Sequence, residues 1–275
     1  MPELPEVETI VRGLRRKAVG KRINRVTLLM SQILRCSDDD FVRTILGKTI
    51  KGIDRRGKFI LIALSGGWSL LIHLKMTGQL KWIPQAQNHQ KHTHVVFHLA
   101  QCPFQLHYCD IRRFGYLLLL KTDCMHDVPP LRDLGPEPLE MKEPEFVELL
   151  RNRKGRMKSL LLNQSFLAGL GNIYADESLW RARIHPLTQA HRISPRKARR
   201  LLGAIQAVLE EAIENKGSSV DDYRDVEGRK GKHQFCLRAY GRQGQACYYC
   251  GALIRRIVIN SRSSHFCPRC QRKPG

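Results

Sequence analysis

The sequence predicts an α+β protein in which a β-rich first half precedes a helical part and a cysteine-rich tail. Three observations lead there. Hydrophobic periodicity is helix-like over the first twenty residues, strand-like from residue 23 to residue 121, and helix-like again after residue 145. Residues 123–145 carry five prolines between the two regimes. Two C-x2-C pairs close the chain. At 275 residues it can bury a core larger than that of one small domain.

The elements follow in order. After MPELP, Val7, Ile10, Val11, Leu14 and Ala18 fall on one face of a helix, with Pro5 in its first turn and Gly20 as a stop. The runs RINRVTLLM, KTIKGI, KFILIAL, WSLLIHL, the alternation of Val95, Phe97 and Leu99, and YLLLLK read as short strands of a sandwich or barrel. Residues 123–145 read as a linker. EFVELLRN, RMKSLLLN, NIYADESLWRARI and PRKARRLLGAIQAVLEEAIENKG are helical in pattern. Residues 217–244 are rich in glycine and charge and predict a mobile loop.

Charge restricts the partner. Lysine and arginine number 47 against 25 acidic residues, a formal net charge of +22. That excess costs self-repulsion and favours a polyanion. No run reaches the ~18 apolar residues of a membrane span, and the acidic start is not that of a signal peptide, so the expectation is a cytoplasmic protein with no membrane partner.

Of nine cysteines, Cys247, Cys250, Cys267 and Cys270 form C-x2-C-x16-C-x2-C. Four thiolates so spaced suit one tetrahedral Zn²⁺, with disulfides as the alternative. A closed four-sulfur shell leaves no position for water, so such zinc is structural. Between the pairs, RRIVINSRSSHF reads as a hairpin with Arg262 near its turn.

Pro-Glu at positions 2 and 3 is a frayed end or a reactive one. Removal of Met1 would expose an α-amine whose reference pKa, near 8, lies well below the ~10.4 of lysine. A secondary amine is somewhat more basic than that reference, and the positive end of the following helix pushes the pKa back down. Such an amine can attack a sugar C1′ to give an iminium, with Glu3 placed for proton transfer.

MPELPEVETIVRGL, RRGKFIL, HLKMTGQL, DIRRFG, LGPEPL, GLGNIYADE, IHP and the terminal cysteine motif, in this order across nearly the whole chain, resemble the formamidopyrimidine-DNA glycosylase family. The resemblance implies an N-terminal helix plus β-sandwich over 1–122, a linker over 123–145, a helix-two-turn-helix domain with a lesion-recognition loop over 146–242, and a zinc finger over 243–275. It implies a monomer that binds damaged duplex DNA in the cleft between lobes, excises oxidised purines such as 8-oxoguanine and formamidopyrimidines, and nicks the strand by β- and δ-elimination.

By the same resemblance Pro2 is the Schiff-base nucleophile, Glu3 the acid, Lys58 the β-elimination donor and Arg262 the δ-elimination donor. Met76, Arg112 and Phe114 correspond to the plug that fills the hole left by an extruded base. Asn172 opens a helix after Gly169 and Gly171, where backbone N–H groups can hold phosphate. His92 and one of Arg153 and Lys154 correspond to further DNA contacts. Glu6 belongs to the opening motif, and helix capping explains it equally well. Alternative readings are an oxidised-pyrimidine enzyme of the endonuclease VIII branch, a zinc-containing DNA-binding protein without catalysis, and an RNA-binding protein.

Overall fold

The computed structural model describes residues 1–151 and 153–273, so the last two residues expected in the zinc finger lie outside the described residues. The chain forms two compact units. One comprises Met1–Arg132 together with Asn215–Lys232, the other Asp133–Glu214 and His233–Gly275.

In the first unit, helix α1 (Leu4–Ala18) precedes β1 (Ile23–Leu28), α2 (Asp38–Ile45), β2 (Ile50–Arg56), β3 (Phe59–Leu64), β4 (Trp68–His73), β5 (Gly78–Pro84), β6 (Thr93–Leu99), β7 (Phe104–Asp110), β8 (Tyr116–Lys121) and α3 (Pro129–Arg132). The strands make two four-stranded antiparallel sheets of order β1-β6-β7-β5 and β2-β3-β4-β8. Val95, Phe97 and Leu106 of the first share one core with Ile53, Ile60, Ile72 and Leu117 of the second. The unit is therefore a sandwich. Its apolar helix face, Val7, Ile10, Val11 and Leu14, joins the same core, and α1 packs on β2 and β3.

Periodicity alone missed α2, β5 and β7, and the short α3 lies within the stretch that reads as a linker. Helix α2 begins with three aspartates and is held by its N-cap, Ser37, which accepts from the Asp40 N–H. Strands β5 and β7 carry Lys81, Gln105, His107 and Asp110 among their apolar residues. Register with their neighbours, not composition, makes them strands.

The second unit holds α4 (Glu143–Arg151), α5 (Met157–Leu162), α6 (Asn172–Arg181), α7 (Pro195–Glu214), β9 (Arg255–Ile259) and β10 (Arg262–Phe266). Phe146, Leu161, Phe166, Tyr174, Leu201 and Ile205 are buried within it. Part of the proline-rich stretch is packed as well. The Gly135 N–H donates to the Gln164 carbonyl and Gln206 donates to the carbonyls of Pro138 and Met141.

Residues 217–232 differ from the mobile loop that their composition suggests. Tyr223 and Val226 are buried in the sandwich core, and the Val226 carbonyl accepts from the Trp82 N–H at 2.7 Å. Two aromatic or branched side chains in a charged stretch are too sparse for a periodicity test, yet they suffice to anchor a strap.

Candidate functional site

The N-terminus is fixed by a capping box. Glu3 caps α1 with extended backbone, its own N–H donating to Glu6 Oε2 at 2.8 Å while its side chain receives the Glu6 N–H. Pro2 and Glu3 are both buried. The terminal amine of Met1 lies 3.7 Å from Asp221 Oδ2, so the tip of the strap reaches the end of the chain.

Lys58 sits in the two-residue turn between β2 and β3, after Gly57 at φ +55° and between the paired residues Arg56 and Phe59. It is only 6% exposed although it lies in a turn. Next to it Phe59 pairs with His73, ring edge to ring at 4.5 Å, and His73 Nδ1 accepts from the Lys75 N–H at 2.9 Å. Burial, helped by the charges of Lys75 and Lys58, pushes His73 down to about 3, so its ring is neutral.

Met76, Arg112 and Phe114 are brought together from two loops. The Arg112 guanidinium lies 4.7 Å from the Phe114 ring centroid and its Nη1 is 3.1 Å from Met76 Sδ. Met76 is 42% and Phe114 51% exposed, unusual for large apolar residues on a braced frame. The brace is Asp110. Its Oδ1 accepts from Thr77 Oγ1 and the Arg112 N–H, and its Oδ2 from the Gly115 N–H at 2.8 Å. A Cβ at Gly115 would fall 1.9 Å from the Tyr108 hydroxyl, so only glycine lets the loop close. Neither residue was singled out from the sequence; an acid opening DIRRFG and a glycine ending it are the available signals. His92, half-buried at φ +64°, gives its carbonyl to the Asp110 N–H on the same frame.

In the second unit Asn172 is the first residue of α6, after Gly169 at φ +87°, with its Oδ1 enclosed and unpartnered among the described residues. Arg153 lies 5.9 Å from the Phe166 ring centroid, and Lys154 is exposed. Arg262 is exposed at the start of β10. The turn before it is Asn260-Ser261, both left-handed at φ +47° and +59°, between the paired residues Ile259 and Arg262, which is a two-residue type I′ hairpin.

Cys247, Cys250, Cys267 and Cys270 place their sulfurs within 4.8 Å of one another. The Cys250–Cys267 and Cys247–Cys270 separations are 3.4 and 4.0 Å, and none of the nine cysteines is in a disulfide. Sulfurs about 2.3 Å from a tetrahedral zinc stand roughly 3.8 Å apart, so the donor set fits one structural Zn²⁺. A buried network ties this knuckle to α6. Lys158 Nζ donates to Asp176 Oδ1 at 2.7 Å, and Asp176 Oδ2 accepts the His265 N–H at 2.9 Å. Glu177 accepts the N–H groups of Arg238, Ala239 and Tyr240. Sequence reading missed this network, whose bonded partners lie up to 89 positions apart; the Asp-Glu pair within α6 was the available clue.

A cationic protein that holds apolar side chains and an arginine out on braced loops suits a DNA duplex, where such side chains can enter the base stack, and the comparisons with known proteins define its class as a DNA-repair glycosylase. Residues 1–117 match the formamidopyrimidine-DNA glycosylase N-terminal domain, 134–224 its H2TH domain and 244–272 the zinc finger found in FPG and IleRS. The chain belongs to the formamidopyrimidine-DNA glycosylase family. It is 45% identical to the formamidopyrimidine-DNA glycosylase of Pelotomaculum thermopropionicum over 276 residues, 99% of each chain. A variant of Lactococcus lactis FPG, bound to DNA containing Fapy-dG, superposes with a TM-score of 0.93 at 36% identity, covering 99% of this chain and 100% of that one. The L. lactis protein bound to DNA containing an abasic site gives 0.92 at 36% identity, with 98% and 100% covered.

Proposed function

We propose that this chain, acting as a cytoplasmic monomer on damaged duplex DNA, removes oxidised purines such as 8-oxoguanine and formamidopyrimidines and then cuts the strand at the resulting sugar. The observation that carries the reading is the exposed Met76–Arg112–Phe114 cluster. Extruding a nucleotide costs a few kcal/mol and leaves a hole in the stack. Met76 fills it, Phe114 wedges the neighbouring step, and Arg112 meets the orphaned base with its N–H donors.

With Met1 removed, the Pro2 nitrogen is a secondary amine. It attacks C1′ and the glycosidic bond breaks with its electron pair leaving on the base; a proton delivered to O4′ through Glu3 then opens the sugar ring, breaking C1′–O4′ and leaving a C1′ iminium. The C1′ iminium acidifies the C2′ proton, and its loss expels the 3′ phosphate, with Lys58 as the proton donor. A second elimination expels the 5′ phosphate, with Arg262 as donor. Asn172 with the first N–H groups of α6, His92, and Arg153 or Lys154 hold backbone phosphates. Zinc takes no part in these steps; when bound, it holds the hairpin that carries Arg262.

Borohydride reduction on a duplex with one 8-oxoguanine, followed by proteolysis and mass measurement, tests the assignment. The DNA should be found on the N-terminal peptide beginning at Pro2. Recovery on a peptide containing Lys58 would reject Pro2, and no adduct at all would reject the covalent reading.

A further inference from the structure

The strap 217–232 lies within the segment Asn215–Lys232 that folds into the first unit, and among its contacts with the N-terminal segment those at Glu6 are buried. The carboxylate of Glu6 is 2% exposed and faces two ways. Oε2 accepts the N–H of Glu3 at 2.8 Å, and Oε1 accepts the N–H of Ser218 at 2.7 Å. The Tyr223 hydroxyl lies 3.4 Å from the Glu6 carbonyl, and burial, with the Glu6 charge next, raises its pKa and keeps it a donor. Gly217 is at φ +78°, and a Cβ there would fall 2.7 Å from Glu6 Oε1, so the strap closes onto the carboxylate only with glycine at this position. The far side is anchored separately. Gln79 Nε2 donates to the Asp222 carbonyl at 2.8 Å, and Val226 lies over Gly13 of α1, where an added Cβ would meet it at 2.8 Å.

The tip between these anchors is exposed: Val220 is 46% accessible, and the Asp221 side chain, 75% accessible, reaches the terminal amine. A nucleoside whose C1′ is attacked from that end of the chain must present its base within reach of the tip. We infer that Glu6 is a positioning residue, a latch that couples the seating of the strap's exposed tip around the target base to the setting of Glu3 at the nucleophile. Capping alone would need only the Glu3 side of the carboxylate. The Ser218 side makes base excision depend on the strap, whereas cleavage of a sugar that has already lost its base does not.

This inference rests on the glycosylase reading proposed above, and two substrates separate the two. Base release from a duplex with one 8-oxoguanine and strand cleavage of a duplex with one preformed abasic site are measured under single-turnover conditions, alongside thermal unfolding. Gly217→Ala should slow base release tenfold or more while abasic cleavage changes less than threefold. Gly228→Ala is the control: it has the same left-handed backbone, at φ +80°, but an added Cβ meets nothing within 4 Å, so the ratio of the two rates should stay at its unaltered value. Glu6→Gln leaves one N–H facing an amide donor and should slow both reactions, base release more. It decides the matter by the same ratio if Gly217→Ala does not fold. Equal slowing of both reactions by Gly217→Ala, or a ratio no different from that of Gly228→Ala, would overturn the latch. Inactivity of the unaltered protein on both duplexes would overturn the glycosylase reading and the latch with it.

Discussion

Two hairpins of this protein present a basic residue at a two-residue turn, and they are supported by different physics. The β2–β3 turn holds Lys58 almost wholly buried, inside a four-stranded sheet whose other face is the sandwich core. The β9–β10 turn holds Arg262 exposed, on a sheet of two strands. An isolated two-stranded hairpin is marginal in water. The second hairpin therefore borrows its rigidity from the cysteine knuckle and from the charged network on α6, where the first uses apolar burial. The four predictions below break that contrast at successively smaller scales.

The largest effect should come from metal removal. Structural zinc sites contribute apparent free energies of about 10–16 kcal/mol in isolated finger peptides at neutral pH. Chelation, or Cys247→Ala, should unfold β9 and β10, expose Trp180 from its stack on Tyr249 at 4.3 Å, and abolish DNA binding, while amides of β2 and β3 keep their protection from exchange. Exchange measured with and without metal checks it. Loss of protection in β2 and β3 as well would mean that the two supports are not independent.

Much of this contrast was legible in the sequence, though unevenly. The thiolate spacing announces its own ligand set because a metal needs four donors in short register. The turn before Arg262 announces itself less clearly, since Asn260-Ser261 lacks the glycine that usually marks a type I′ turn. Met76, Arg112 and Phe114 have no spacing signal and were reached only through family resemblance; their meeting depends on Asp110, 34 positions from Met76 by number. The Lys158–Asp176–His265 network and the Ser218 side of Glu6 were invisible. Hydrogen bonds between residues far apart in sequence leave no periodic trace, and a capping glutamate looks the same whether one or both of its oxygens are used.

The charged network gives the next largest effect. Lys158 and Asp176 are fully buried, and removing one partner of a buried pair costs about 3–5 kcal/mol because the other charge stays desolvated. Asp176→Asn should lower the stability of the second unit by about 3 kcal/mol in denaturant titration and loosen β10 through the His265 N–H. The β2–β3 hairpin should be unaffected. A loss below about 1 kcal/mol would show that the pair is not what supports the second hairpin.

Acid should act on the first hairpin instead. His73 titrates near 6.5 when unfolded and near 3 when folded, mainly through burial. Between those values the unfolded chain binds more protons, so stability is full above pH 6.5 and is lost progressively as pH falls toward 3, by up to about 1.4 kcal/mol per pH unit. His107, pushed down to about 4, acts in the same direction within the same unit. Urea midpoints at pH 7.5, 5.5 and 4.5 should fall in that order, and His73→Phe should flatten part of the slope. An unchanged slope in that variant would show that the ring is protonated in the folded state.

The smallest effects separate the turns themselves. Gly57 at φ +55°, followed by a residue with negative φ, has the Gly-first arrangement used by type II′ turns, and an L side chain in the left-handed region costs about 1–2 kcal/mol. Gly57→Ala should therefore destabilise the first unit by about 1 kcal/mol, measured as a lower urea midpoint with unchanged slope. In the other hairpin the strained conformation is already occupied by a side chain, Ser261 at φ +59°. Ser261→Gly removes that strain but adds backbone entropy to the unfolded chain, two terms of similar size and opposite sign. The net change should lie within about 0.5 kcal/mol, and resistance of the folded knuckle to chelator should be unaltered, because the thiolates and Asp176 fix the strands on either side. A marked loss of chelator resistance in Ser261→Gly would show that the turn, and not the metal and the charged network, sets the position of Arg262. The two hairpins would then share one kind of support after all.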